Sequence, residues 1–115
     1  MKLQKIKYLL LAQDMRRGLA FYAAVFGLTS TMEGDFWSEM AFGDTIIALH
    51  GGGDGSPNST DVSFQVDNIV VACRLIRENG GRILSEPEQR AGEPIVLAVF
   101  ADTEGNEVML TQWVG

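Results

Sequence analysis

Tyr8-Leu9-Leu10-Leu11-Ala12-Gln13-Asp14 is the first regular pattern in the chain, and Val62-Ser63-Phe64-Gln65-Val66-Asp67-Asn68 repeats it fifty-four positions later. Each copy is an apolar strand-like run that ends on an Asp or Asn suited to cap a helix. A helical pattern follows in both places, through Phe21-Tyr22 in the first and Leu75-Ile76 in the second. Gly27 and Gly81 keep the same offset, and both are suited to ending a helix. Further on, Ile47-Ala48-Leu49 matches Val108-Met109-Leu110 at an offset of sixty-one. The seven extra positions are expected in a longer hairpin around Glu86 to Gly92. A motif used twice predicts a pseudo-symmetric domain with its site at the seam between the halves.

Reading outward from the repeat gives the elements. Residues 5–12 are apolar on both faces, which predicts a strand covered on both sides. Asp14 caps a helix over 14–26, with Met15, Leu19, Tyr22 and Phe26 on one face. Strands are expected near 28–33, 36–42 and 45–50, with turns at Gly34-Asp35 and Gly43-Asp44. The glycine-rich stretch 51–60 reads as a flexible linker. Module two then has a strand at 61–66, a helix over 68–79, and strands near 82–86, 95–101 and 106–113. The expected fold is α+β: two βαβββ modules, 1–50 and 61–115, in one domain of residues 1–115. Their curled mixed sheets should carry the helices on their outer faces.

Composition narrows the function. Nine basic residues face fifteen acidic ones, a net charge of −6, and the basic residues are scattered. A phosphate backbone needs a basic face, so nucleic acid is not an expected partner. There is no apolar run long enough to span a membrane and no signal-peptide pattern, so a cytoplasmic protein is expected. The lone Cys73 excludes an internal disulfide framework and lies on the apolar face of the second helix. Gly51-Gly52-Gly53 is not a phosphate loop, because no Gly-Lys-Ser/Thr follows.

Several of these residues carry a resemblance. Asp14, Phe21-Tyr22 and Phe26-Gly27-Leu28, then Val66-Asp67-Asn68, then Asp102-Thr103-Glu104-Gly105-Asn106 with Val108 and Leu110 are similar to the vicinal oxygen chelate superfamily. That superfamily groups glyoxalase I, fosfomycin-resistance enzymes, extradiol dioxygenases and bleomycin-binding resistance proteins. Thr103 stands where the family pattern has proline. The resemblance implies the paired βαβββ fold, and in metal-dependent members it implies ligands on the first and last strand of each module. Those positions fall on Lys7, Ala48, Asp61 and Met109. A hard divalent ion needs oxygen or imidazole donors, so no metal is expected here and no other cofactor is indicated.

Strand alternation then predicts a ligand pocket. From Lys7 it adds Leu9 and Leu11; from Asp61, Ser63 and Gln65; from Met109, Glu107, Thr111 and Trp113. Trp37 and Glu39 share one face of the third strand, and the sequence does not fix whether that face is the inner one. His50 faces the same way as Ala48 and is either a general base, a ligand contact or a structural residue. Lys7 and Asp61 hold equivalent positions, as an ion pair replacing a metal or as direct ligand contacts. The expected function is metal-independent binding of a small molecule, an antibiotic or metabolite, by a homodimer. The alternative is a glyoxalase- or dioxygenase-like enzyme with an atypical site built from His50, Glu39 and Asp61. A third reading is an assembly protein whose cavity is filled by its own side chains.

Overall fold

The computed structural model describes residues 1–115 and contains both modules. In the first, β1 (Lys7–Ala12), α1 (Met15–Phe26), β2 (Thr29–Met32), β3 (Trp37–Phe42) and β4 (Thr45–Gly51) form a sheet of order β1-β4-β3-β2. In the second, β5 (Asn58–Val66), α2 (Ile69–Glu78), β6 (Arg82–Gln89), β7 (Ile95–Ala101) and β8 (Asn106–Trp113) form a sheet of order β5-β8-β7-β6. The first and last strands of each module pair parallel and the remaining pairs are antiparallel. The tandem βαβββ reading therefore holds. No helix is long and apolar enough to cross a membrane.

The capping chemistry matches the sequence. Asp14 accepts the Arg17 N–H at 3.1 Å, and Gly27 ends α1 in the left-handed region at φ 68°. Asn68 caps α2 in the same way by accepting the Val71 N–H at 3.1 Å.

The packing of the modules differs from the expectation. One side of α1 meets the first sheet, with Gly18 close against Leu49. The other side meets the second sheet, where Phe26 lies edge-on to Phe64 at 4.7 Å and Phe21 packs near Phe100 at 6.1 Å. Leu10, Ile47 and Leu49 share one apolar core with Ala98, Phe100, Val108 and Leu110. α1 thus lies between the two sheets of a single chain, and α2 packs beside it against β6 and β8 of the second sheet. Alternation turns the opposite faces, which carry most of the expected site residues, outward and apart.

The extra residues of module two lengthen its hairpin as expected: β6 runs on to Gln89, paired with Val96 of β7 through two register shifts, where β2 has only four residues. The linker differs from the reading. Only residues 52–57 separate β4 from β5, and they are tied down. Gly53 donates its N–H to Ala12, Asn58 donates to Gly105, and Asp54 accepts from Ser56. Gly105, at φ +94°, lies so close that a Cβ would stand 2.5 Å from the Ser56 carbonyl oxygen. Strained backbone and a backbone clash together should make Gly105→Ala destabilising by about 2–4 kcal/mol. Thermal unfolding that matches the parent would contradict this packing of the linker.

A buried polar cluster joins the modules across the core. Glu104 accepts the N–H groups of Gln13 and Asp14 at 3.0 and 2.7 Å and the Arg17 Nε at 2.8 Å. Asp102 accepts the Tyr22 hydroxyl at 2.6 Å and the Asn106 side-chain amide. Asn106 also exchanges two hydrogen bonds with the backbone of Leu11. The turn between β7 and β8 is therefore an inter-module fastening, and every buried side-chain polar atom has a partner.

Candidate functional site

The strand register sets out the outward faces row by row. On the first sheet Leu9, Ala48 and Glu39 lie side by side, and Leu11, His50 and Trp37 form the next row. Lys7 lies one row away, beside Ile46. Trp37 and Glu39 therefore belong to the face of Lys7, Leu9, Leu11 and His50. On the second sheet the matching rows are Ser63, Met109 and Val99, then Gln65, Thr111 and Leu97. Trp113 extends this face opposite Ile95. The residues Val99, Leu97 and Ile95 were not singled out from the sequence, although alternation carried across from β8 to β7 finds them.

The ion pair of the site lies on the first sheet. Lys7 Nζ donates to Glu39 Oε2 at 2.9 Å, and Trp37 Nε1 donates to the same oxygen at 2.8 Å. The two bonds, from Lys7 first and Trp37 second, hold the Glu39 carboxyl below its usual range. Lys7 Nζ also lies 5.7 Å from the centre of the Trp37 ring, and the edge of His50 meets that ring at 6.0 Å. Ala48 is fully buried beneath them, and its small side chain leaves room for Lys7 to reach Glu39 across β4. Beyond the pair, Leu9, Met109 and Trp113 give the two faces open apolar surface, at 52%, 41% and 57% exposed, and the second face also carries the polar Ser63, Gln65 and Thr111.

Asp61 does not pair with Lys7, as one of the two sequence readings had it. The two occupy equivalent places on sheets that face apart, and Lys7 has Glu39 as a nearer partner. Asp61 lies where the β5 register shifts, beside a crevice of about 590 Å³ between the modules. That seam is lined by Tyr8, Phe26, Phe42, Ile47, Val62 and Phe64 among others, and of the expected site residues only Asp61, Ser63 and Gln65 reach it. Cys73 is buried on α2, and burial raises its thiol pKa.

The donor set does not fit a metal. Lys7 brings a cation already bound to a carboxylate, Ala48 and Met109 offer no hard donor, and Asp61 stands alone. No three His, Cys, Asp or Glu side chains of the chain converge. The arrangement suits hydrogen bonding at one end of an organic ligand and burial of an apolar body along the rest.

Comparison with known proteins agrees with this fold. The sequence profile of the Glyoxalase/Bleomycin resistance protein/Dioxygenase superfamily matches residues 5–110. A Synechocystis protein named as a probable lactoylglutathione lyase is 25% identical, over 86% of this chain and 87% of that protein. Among solved structures, the fosfomycin resistance protein FosX of Listeria monocytogenes superposes with a TM-score of 0.79 at 14% identity, covering 97% of this chain and 94% of that one. A superfamily member from Sphaerobacter thermophilus gives 0.77 at 19% identity, covering 96% and 98%. With its profile match running through both modules, the chain belongs to the glyoxalase/bleomycin resistance protein/dioxygenase superfamily.

Proposed function

We propose that the protein binds a small organic molecule without a divalent metal, in a site completed by a second copy of the chain. The observation that carries this reading is the lock between Lys7 and Glu39 at a position where metal-dependent relatives place a ligand. The need for a second copy is supported by the outward faces, each of which is only half of an enclosure. β1 and β5 are edge strands that form no strand pairing on their free sides. Ile6, Tyr8 and Leu9, in or beside β1, are all more than half exposed or close to it, at 64%, 50% and 52%. In a symmetric homodimer, β1 of one copy lies beside β5 of the other. The Lys7–Glu39 face then meets the partner's apolar face around Met109 and Trp113. The proposed location is the cytoplasm, in keeping with the single buried thiol of Cys73.

The alternative is a lyase or dioxygenase with an atypical metal site. It is supported by the name of the Synechocystis relative and by Glu39 and His50 sharing a face. One experiment separates the two readings. A thermal-shift screen of antibiotics and metabolites should find compounds that stabilise the protein equally with and without EDTA. Equilibrium dialysis against Zn²⁺, Mn²⁺ and Ni²⁺ should leave far less than one ion per chain. Stoichiometric metal, with stabilisation lost on chelation, would replace the first reading with the second.

A further inference from the structure

On the binding reading above, we infer the chemistry of the ligand's polar end. The Lys7–Glu39 pair recognises a head group with a hydrogen-bond acceptor and a donor on neighbouring atoms, as in a primary amide or an α-amino carboxylate.

Glu39 is only 4% exposed, and its two oxygens differ. Oε2 takes both the Lys7 ammonium and the Trp37 indole N–H, while Oε1 receives no hydrogen bond from the chain and reaches the surface. Glu39 borders an open groove of about 730 Å³ with Lys5, Ile6, Thr31, Ala41 and Ile46. The Lys7 side chain is 34% exposed and has donated one of its three N–H groups, so two are left for a ligand. Acceptor and donor sites thus stand side by side, held by the Trp37 ring and by the small Ala48 beneath.

This geometry discriminates between head groups. A lone carboxylate reaching for Lys7 competes with Glu39 and brings a second negative charge towards Oε1. A lone ammonium reaching for Oε1 meets the Lys7 charge. Either one works against the pair, and parting it would leave Glu39 buried without its counter-ion. A head group that accepts from Lys7 and donates to Oε1 satisfies both and leaves the pair intact. The second sheet has no equivalent, since Val99 stands in the place of Glu39. The apolar body is then left to Leu9, Leu11 and the partner's face.

Four compounds with one phenyl body test this: 3-phenylpropanamide, phenylalanine, 3-phenylpropanoate and 2-phenylethylamine. Binding is followed in ¹⁵N–¹H spectra at the Trp37 indole N–H, which reports directly on Glu39, and at the Trp113 indole N–H. The amide or the amino acid should move the Trp37 signal and bind about tenfold more tightly than either singly charged compound. Which of the two is better decides between a neutral and a zwitterionic head group. Glu39→Gln, which keeps the size but replaces one oxygen by an N–H donor group, should reduce that preference to near unity. Equal or tighter binding of the propanoate or the ethylamine overturns the inference. So does a Trp37 signal unmoved by all four. If Trp113 still responds in that case, ligand binding stands and only the head-group assignment falls; if both indoles stay silent, the binding reading fails as well.

Discussion

Glu104→Ala should lower stability by about 3 kcal/mol, roughly 10–20 °C in melting temperature for a domain of this size. The Glu104 side chain is fully buried, and its loss leaves the N–H groups of Gln13 and Asp14 without their acceptor. It also leaves Arg17 without its partner, but Arg17 is 46% exposed and water can take that place. The cost therefore comes mainly from the two backbone donors and from the hole left by the buried Glu104 side chain, and Arg17→Ala should cost only about 1 kcal/mol. Acid unfolding gives a second readout. Burial pushes the Glu104 pKa up, but hydrogen bonds from Arg17, Thr103 and Asp14 outweigh it and hold the carboxyl below its ordinary value. A depressed carboxyl pKa contributes stability above the unfolded-state value and loses it as the pH falls through the folded-state value. Asp102, which burial raises despite its bonds to Tyr22 and Asn106, acts in the opposite sense and softens the loss. Glu104→Gln should thus flatten the acid limb of the stability curve. If Glu104→Ala costs less than about 1 kcal/mol, the fastening between modules is not what holds them together.

The doubled pattern made the modules legible because each local signal agreed with the others. Asp14 and Asn68 cap, Gly27 terminates, and apolar residues recur at the right period. How the modules pack was not legible. Alternation divides a strand into two faces but does not say which face of one sheet meets which face of the other. The run from Tyr8 to Leu11 reads as doubly buried, yet Leu9 and Leu11 are open in the single chain. Glu104 and Asn106 were visible only as parts of a turn motif. Their roles depend on contacts with residues 87 to 95 positions away, which no local pattern encodes.

The faces of the candidate site were legible to the same depth. The residues expected from Lys7 and Met109 share their faces as alternation requires. The face of Trp37 and Glu39 was open in the sequence, and the pairing of β3 with β4 fixes it. The proposed pairing of Lys7 with Asp61 failed because equivalence under the pseudo-symmetry is not proximity. Glu39 was within reach of Lys7 because Ala48 between them is small.

Mixing two damaged versions of the protein should restore binding that neither has. Lys7→Ala with Glu39→Ala removes the polar half of the proposed site, and Met109→Ala with Trp113→Ala removes the apolar half. Each double variant should bind the best compound of the thermal-shift screen at least about tenfold more weakly while remaining a dimer by light scattering. In a mixed dimer, the intact first sheet of one copy faces the intact second sheet of the other, giving one whole site of two. With half of the dimers mixed, unfolding and refolding the variants together in equal amounts should recover about a quarter of the parent's tight sites. Recovery at that level is the result the composite site predicts. If either variant alone binds as the parent does, or if the refolded mixture gains no tight sites although mixed dimers are present, the site is not shared between two copies and the account is wrong.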